Sequence, residues 1–588
     1  MARRLPRVAG REIGSLLGIR DAAPAGPQGF VCPACGYQQW LQEARHCRRC
    51  GAPSTITTAP IAAPAEALAL PAAVASEEPL AIGLLPRPLR TARPLRTPTP
   101  LPRHTKRPSR TRRGHRSRLR PLEDDLSAST TITRTQITVL RWVIGGILLL
   151  LVAFPIGTLT GLIAFTTLLY LGAFIFRLRI FWRALSEPAE IRVADDEARG
   201  LWEHSLPTYT VLVPAFHEPE VIGQVIANLQ RLDYPPERLD IKLLLEEDDV
   251  ATIEAAEAAE PPDHIQIVRV PAGEPRTKPR ACNYGLTLAR GKFVTIYDAE
   301  DDPEVLQLRR AVVAFRRLED RIACLQAKLV YHNPGQNSIT RWFSTEYAMW
   351  FSQLLPGLIA DAAPLPLGGT SNHFRRTVLD EIGGWDPWNV TEDADLGIRL
   401  HRAGYRTAVL DSVTLEEANS DFVNWIKQRS RWYKGYMQTW LVHMRQPRQL
   451  WEDLGPAGML GFHLFVGGTP LLALVNPLFW ALTAIWFISP LEFIRELFPF
   501  WIYYIALFCL AFGNISFVYA NMVAARQHGR PELVIAAMLS PFYWVMMSIA
   551  ALKALIQLIT APSFWEKTTH GLDTGKSSPK ARASRAGA

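Results

Sequence analysis

Three stretches of this chain hold side chains whose types and spacing suit chemistry. Thr391-Glu392-Asp393 sits directly ahead of the helical pattern ADLGIRLHRAGY, so its carboxylates fall at a helix N-terminus, where backbone N–H groups are free and the dipole favours negative charge. An ionised base near neutral pH is the expectation. Downstream, QRSRW puts Gln428 and Arg431 at i, i+3 on one helix face with Trp432 beside them, a set suited to a diphosphate and a stacked sugar ring. The third stretch is a pair of acid clusters. IKLLL (Ile241 to Leu245) runs into Glu246, Glu247, Asp248 and Asp249, and FVTIYDA (Phe293 to Ala299) carries Asp298 and leads into Glu300, Asp301 and Asp302. Hard carboxylates at two strand ends suit magnesium or manganese held through a diphosphate. A single loop acid is ordinarily a solvated one. The shared place after buried strands argues for Asp248 and Asp298 as ligands and leaves Glu246 and Asp302 to solvent.

A fourth constellation is metal-like in another way. Cys32, Cys35, Cys47 and Cys50 form two CxxC pairs, with Gly36 and Gly51 after each second cysteine, the spacing of a tetrahedral zinc ribbon. With all four positions supplied by protein, the zinc is expected to be structural, and a redox pair is the alternative. Reduced cysteines place this end in a cytoplasmic setting. The remaining cysteines, Cys282, Cys324 and Cys509, are expected to be ordinary buried thiols.

The elements that would position these groups are legible in the apolar pattern. A strand over Thr208 to Phe216, a helix over Val221 to Arg231, strands at Ile241 to Leu245 and His264 to Val270, a helix over Pro279 to Ala289 and the strand at Phe293 alternate as a mostly parallel sheet covered on both faces. Ligands of such sheets bind beyond the carboxyl ends of the strands, which is where the acids lie. On both sides of this soluble zone the chain is membrane-like. Residues 137–178 are almost uncharged and break near Pro155, giving two spans. Arg134 and Arg141 on one side and Arg177, Arg179 and Arg183 on the other put both flanks in the cytoplasm. Within 455–560, Pro470 and Pro477 divide one apolar run into an interfacial helix up to about Val466 and a span from Leu471 to Ile488. A further span covers Phe498 to Ala520, and MMSIAALKALIQLIT, with Lys553 and Gln557 at i, i+4, reads as interfacial. Four crossings, or six, keep the two ends of the chain on one side.

Composition supports the same division. The formal net charge is +9, and nine Lys or Arg residues fall in the tract Arg103 to Arg120 alone. That tract lies just ahead of the first apolar segment, so anionic lipid headgroups are the expected partner and nucleic acid is not. Residues 1–28, the Pro/Ala/Arg-rich linker 55–136 and the tail 573–588 are expected to be disordered, and 29–54 to be the zinc module. No signal peptide follows MARRLPR, so the first span would do the targeting.

Read in order, VPAFHE, EEDD, TKPRACNYGL, YDAEDDPE, GGTSNHF, TED and QRSRW resemble the membrane-embedded, processive glycosyltransferases of family 2, the cellulose and hyaluronan synthase-like enzymes. The resemblance covers roughly residues 208–440 with the flanking helices. It implies a GT-A type α/β domain over 185–450 that binds a nucleotide sugar and is inserted between transmembrane helices of a bacterial-type cell membrane. By the same resemblance Asp248 or Asp249 would contact the uridine, and Asp298 and Glu300 would take the DxD metal site, with Asp301 able to share it because Glu300 is one methylene longer than the usual Asp. Asp393 would be the catalytic base, Gln428, Arg431 and Trp432 would lie at the diphosphate and acceptor, and Lys278 is a candidate for the diphosphate or donor sugar. Gly369, with Gly368, would let backbone approach the acceptor, next to Thr370 and Glu392, whereas His373 is expected to be structural. PSFWEKTTHGL (562–572) resembles a gate over the nucleotide, with Trp565, Lys567 and Thr568 as its contacts; Trp385, Trp432 and the gate would exclude water.

Such an enzyme would use Mg2+ or Mn2+ against the departing diphosphate and a base on the acceptor hydroxyl, inverting the anomeric carbon. The expected function is polymerisation of a β-linked polysaccharide, UDP-glucose being the favoured donor, with export of the growing glycan between the spans and a regulatory or export partner at the zinc module. Two alternatives stand beside it: transfer of one sugar to a lipid carrier or other acceptor, and a zinc-ribbon scaffold or nucleic-acid-binding protein with a degenerate transferase domain.

Overall fold

The computed structural model describes residues 30–31, 38–39, 119–186, 190–489, 491–527 and 529–568. Cys32, Cys35, Cys47 and Cys50, most of the polybasic tract and the tail beyond Thr568 lie outside the described residues, and with them the zinc module; a short antiparallel pair, β1 (Phe30–Val31) and β2 (Gln38–Gln39), is what that region contributes.

One sheet organises the soluble zone. Its strands are β3 (Glu190–Ile191), β4 (Tyr209–Ala215), β5 (Leu239–Glu246), β6 (Ile265–Val270), β7 (Phe293–Ile296), β8 (Asp302–Pro303), β9 (Ile322–Tyr331), β10 (Asn372–Arg375) and β11 (Arg406–Glu416), in the spatial order β3-β11-β9-β10-β7-β4-β5-β6, with β8 paired to β11. The expected parallel half is there: β7, β4, β5 and β6 run parallel, Val211 facing both Ile241 and Thr295. Where a mostly parallel sheet was expected, the sheet is mixed. β10 lies antiparallel between β7 and β9, and so joins the parallel half to a second one, β9-β11-β3. All eight residues of β5 are buried, as a strand covered on both faces requires. Helix Lys278–Leu288 lies so close to that sheet that a methyl group on Gly285 would fall 2.8 Å from Leu244.

Among the described residues, five helices are long and apolar enough to cross a membrane. Two of them, Arg134–Ala153 and Pro155–Ser186, are separated at Phe154 as the proline predicted. The first buries none of its residues within the protein and exposes Trp142, Leu149 and Val152, the surface of a helix meant for lipid. The third, Pro447–Ile488, turns at Gly455, whose φ of 66° precedes Pro456, and then runs through Pro470 and Pro477 to Ile488, so the division expected between Val466 and Leu471 falls instead at Gly455. Phe500–Gln527 follows. Ser540–Thr560 differs from expectation. It is a continuous apolar helix with Pro541 in its first turn and qualifies as a span by length and hydropathy, and its Lys553 and Gln557 donate to Glu566 at 2.7 and 2.9 Å. A second correction concerns the end of the linker. Residues 119–133 are packed on the transferase domain, with Ala128 N–H donating to Asp386 at 2.6 Å and Arg120 N–H to Asp380 O at 3.1 Å.

Candidate active site

The TED tripeptide is placed by two tight helix contacts. Its helix, Glu392–Arg402, runs so close to the Leu365 carbonyl that a methyl on Gly397 would lie 2.0 Å away. On the other side, a methyl on Gly435 of the QRSRW helix, Phe422–His443, would meet the Thr391 hydroxyl at 2.1 Å. Only glycines let the two helices approach this far. The buried Asp395 carboxylate then ties them, accepting from Arg399 at 2.7 Å and facing His443 Nε2 at 3.0 Å. Asp393 therefore reaches the space between QRSRW and the GGTS loop. Its Oδ1 accepts from Ala394 N–H at 2.8 Å, and its Oδ2 would lie 3.5 Å from a methyl on Gly369. The expected fully ionised base is modified by its surroundings: burial outweighs the Lys278 charge and the backbone donors and pushes Asp393 up to about 6. Burial and then the neighbouring Asp393 charge push Glu392 up to about 8.

Lys278, the first residue of its helix, crosses to the same spot. It pairs with Asp298 and donates to Gly369 O at 2.8 Å. Burial would strip its proton, but the Asp298 and Glu392 carboxylates win and hold it charged. Asp298 N–H donates to the fully buried Asp301 at 2.8 Å, and the Thr370 hydroxyl also contacts that carboxylate. Burial, then the charges of Asp298 and Glu300, drive Asp301 well above the carboxylate range, and its Oδ1 has no partner. Among the described residues no three His, Cys, Asp or Glu side chains already converge as a metal cage. That arrangement fits magnesium or manganese, which takes one or two carboxylates and completes its shell with substrate phosphate and water. The fit is one of donor type: hard oxygens, mutually repelling, with an orphaned acceptor beside them.

The QRSRW helix closes the other wall. Gln428, Arg431 and Trp432 line one cavity of about 620 Å3 together with Asp298, Glu300 and Asp393. Burial pulls Arg431 down, while Glu392, Asp298 and Asp393 pull it back, so its guanidinium faces the acids it must balance. The gate-like segment lies across this mouth. Arg431 sits 4.7 Å over the Trp565 ring and donates to Glu566 O at 3.2 Å; Lys567 donates to His217 O at 2.9 Å, and Thr568 is buried against the cavity. Lys434 and Gln438, farther along the same helix, hold Phe564 O at 2.7 Å and Pro562 O at 3.0 Å. The cavity then continues between the apolar helices, past Tyr170, Arg177, Asn476 and Trp544.

Not every expected residue meets there. Asp249 is buried away from the cavity, accepting from His217 N–H at 2.6 Å and capping helix Val250–Ala258 through Thr252 N–H. Asp248 is half exposed and paired with Arg276 at 2.6 Å, outside the cavity lining, although Arg276 itself lines it. Glu246 and Asp302, read as solvent residues, are both buried, held by Arg280 and Arg231. Trp385 belongs to the core, edge-on to Phe374, rather than to the cavity wall. His373 is structural, as expected: fully buried, bonded to Tyr209 and pushed down by burial to about 3.

Sequence reasoning also passed over residues the structure brings in. Glu416, at the end of β11, lines the cavity and is driven upward by burial and by the charges of Asp301 and Asp298. Its signal was the acid pair Glu416-Glu417 ending an apolar strand, the same signature used for the other clusters. Arg429, inside QRSRW, forms a two-pronged pair with Glu346 and lies 4.5 Å over the Trp432 ring. No local spacing announces that partner.

Known proteins resemble the same stretch of the chain. The model of the family described as "Glycosyltransferase like family 2" matches residues 207–435. A protein of Bacillus subtilis (strain 168) named "Probable glycosyltransferase YdaM" is 27% identical over 246 residues, 41% of this chain and 58% of that protein, so the chain spans little more than half of that relative. A "Beta-monoglucosyldiacylglycerol synthase" of Synechocystis is 26% identical over 389 residues, 63% of this chain and 76% of its own length. The solved structure of a mannosyltransferase from Pyrobaculum calidifontis in complex with GDP-Man and Mn2+ aligns with a TM-score of 0.43 at 19% identity, over 66% of this chain and 99% of that one. The acids at the strand ends, the TED helix and the QRSRW motif thus all lie within residues 207–435, the stretch that matches the model of glycosyltransferase family 2.

Proposed function

We propose that this chain transfers a hexosyl group, with inversion, from a nucleoside diphosphate sugar to the hydroxyl of an acceptor held in the cavity, and that the acceptor is the growing end of a β-linked glycan. One observation carries the reading: a single cavity runs from Asp393 and Trp432 into the apolar helices and is lined along the way by aromatic rings and side-chain amides. Aromatic faces and amides are what a sugar chain needs to move without being fixed.

In this scheme Asp393 takes the acceptor proton as the hydroxyl oxygen bonds to the anomeric carbon from the face opposite the diphosphate; the bond from that carbon to the diphosphate oxygen breaks, and the nucleoside diphosphate leaves. Arg431 and Lys278 carry the charge that gathers on the leaving group. Lys278 is held ready by Asp298 and Gly369 O. Asp298 and Glu300 would hold Mg2+ or Mn2+, which supplies Lewis-acid stabilisation of the diphosphate. Trp432, with Arg429 over its ring, lines the cavity where the acceptor sugar would lie, and the segment 562–568 would exclude water. UDP-glucose is the donor proposed, and the cytoplasmic side is the side proposed for the transferase domain, a reading supported by the arginines flanking the first two apolar helices.

A second reading, one hexose added to a lipid, is favoured by the name of the Synechocystis relative. Membrane vesicles offered each labelled nucleotide sugar separate the two when the product is sized. A long, glycosidase-sensitive product that is absent from Asp393→Asn vesicles supports the polymer; a product that partitions into organic solvent and carries one sugar replaces it with the lipid reading; no transfer from any nucleotide sugar refutes both.

A further inference from the structure

Arg177 is the one cation on the membrane-helix wall of the cavity among the described residues, and no described carboxylate pairs with it. It lies on the face of helix Pro155–Ser186 that also presents Tyr170, Phe174 and Phe181 to the cavity. Those positions are four, three and four residues apart, the spacing of one helical face. The next two arginines of the helix are committed elsewhere: Arg179 pairs with Asp361 at 2.7 Å, and Arg183 approaches the same carboxylate at 3.5 Å. Arg177 meets no carboxylate and no hydrogen-bond acceptor among the described residues, and its guanidinium rests 4.9 Å over the Phe517 ring. A guanidinium has five N–H donors in a planar fork and suits a bidentate anion such as phosphate. On the same cavity wall the Tyr170 hydroxyl donates to Asn476 Oδ1, a bond that uses the amide oxygen and not the amide NH2 of Asn476.

We propose that Arg177, with Asn476, forms a subsite for the phosphate of a membrane lipid at the end of the cavity that lies between the helices. A lipid is the source to which the position points. Arg177 stands at the end of an apolar run and is followed by further arginines, which is where a helix leaves hydrocarbon and meets the phosphate layer. Its neighbours Phe174 and Phe181 and the Phe517 ring supply apolar surface for the lipid's glycerol and first methylenes. The subsite is separate from the Asp393 chemistry and does not depend on which acceptor that chemistry uses.

The test uses the full chain purified in detergent and a fluorescent phosphatidylglycerol. Wild type is expected to bind the probe, unlabelled phosphatidylglycerol to displace it, and diacylglycerol and millimolar inorganic phosphate not to. Arg177→Gln is expected to weaken binding about tenfold or more, the loss of charge-assisted hydrogen bonds, and Arg177→Lys to keep part of it. Arg179→Gln, whose guanidinium already belongs to Asp361, is expected to bind as wild type does. UDP binding measured on the same samples shows that the variants are folded. Equal binding by wild type and a folded Arg177→Gln overturns the proposal, as does displacement by diacylglycerol, since the arms on wild type do not depend on any variant. Displacement by inorganic phosphate at the same concentration as the lipid overturns the assignment to a lipid.

Discussion

Replacing Asp393 by Asn tests the base directly, because it keeps the shape and removes the proton acceptor. Burial pushes this carboxyl up to about 6, so in wild type about a tenth is ionised at pH 5 and about nine-tenths at pH 7. The value of kcat/KM is therefore expected to rise about tenfold between those pH values and then level off. Glu392, pushed up to about 8, stays mostly protonated across that range and adds no second limb. Asp393→Asn is expected to lower kcat by about a hundredfold to ten-thousandfold and to abolish the limb. Stability supplies an independent readout. A carboxyl whose folded-state pKa is raised binds more protons in the folded protein between about pH 4 and pH 6, so its ionisation costs stability that grows through that window and persists above it. Asp393→Asn removes that cost, at most about 3 kcal/mol for a displacement of about two pH units. Thermal unfolding is thus expected at a higher temperature than wild type at pH 7.5 and at a similar one at pH 4. Steady-state transfer from labelled donor across pH, with unfolding on the same samples, is the assay. An Asn variant within tenfold of wild type, or one that keeps the acid limb, would refute Asp393 as the base.

Chelation by EDTA is expected to stop transfer and added Mn2+ or Mg2+ to restore it, as measured by donor turnover; full activity after exhaustive chelation would dismiss a metal at Asp298 and Glu300. Lys567→Ala removes the donor to His217 O and the 3.5 Å approach to Glu218, so the KM for the nucleotide sugar should rise several-fold with a smaller change in kcat, and an unaltered KM would show that segment 562–568 does not cover the donor. Glu346→Gln leaves the Arg429 guanidinium buried without its charge partner, a loss of about 3–5 kcal/mol visible as a lower unfolding temperature; a shift of less than a degree would mean the pair contributes nothing. Gly435→Ala puts a methyl 2.1 Å from the Thr391 hydroxyl, and both stability and turnover should fall, whereas an enzyme with normal turnover would mean the TED and QRSRW helices can part without consequence.

The half of the sheet that carries β4, β5, β6 and β7 was legible because its strands are continuous apolar runs, which a buried parallel sheet demands. The other half was not. β9 and β11 carry Gln326, Lys328, Ser412 and Thr414, whose polar atoms are satisfied inside the sheet by partners such as Asp411 and Gln307, and such partners come from far along the chain. The acid clusters show the same boundary residue by residue. Asp249 and Asp298 look alike in sequence, each just past an apolar strand. What separates them is the next turn. Asp249 opens a helix and its side chain is taken by Thr252 N–H, a D-x-x-T cap visible in sequence to a reader who asks where the helix donors go. Asp298 opens no helix, so its carboxylate is left for Lys278 and for whatever enters the cavity. A strand-end acid is thus a ligand candidate only when no helix begins within the next few residues. By the same rule Glu416 is left free for the cavity, since helix Phe422–His443 takes its cap from Asp421 through Asn424 N–H at 2.8 Å.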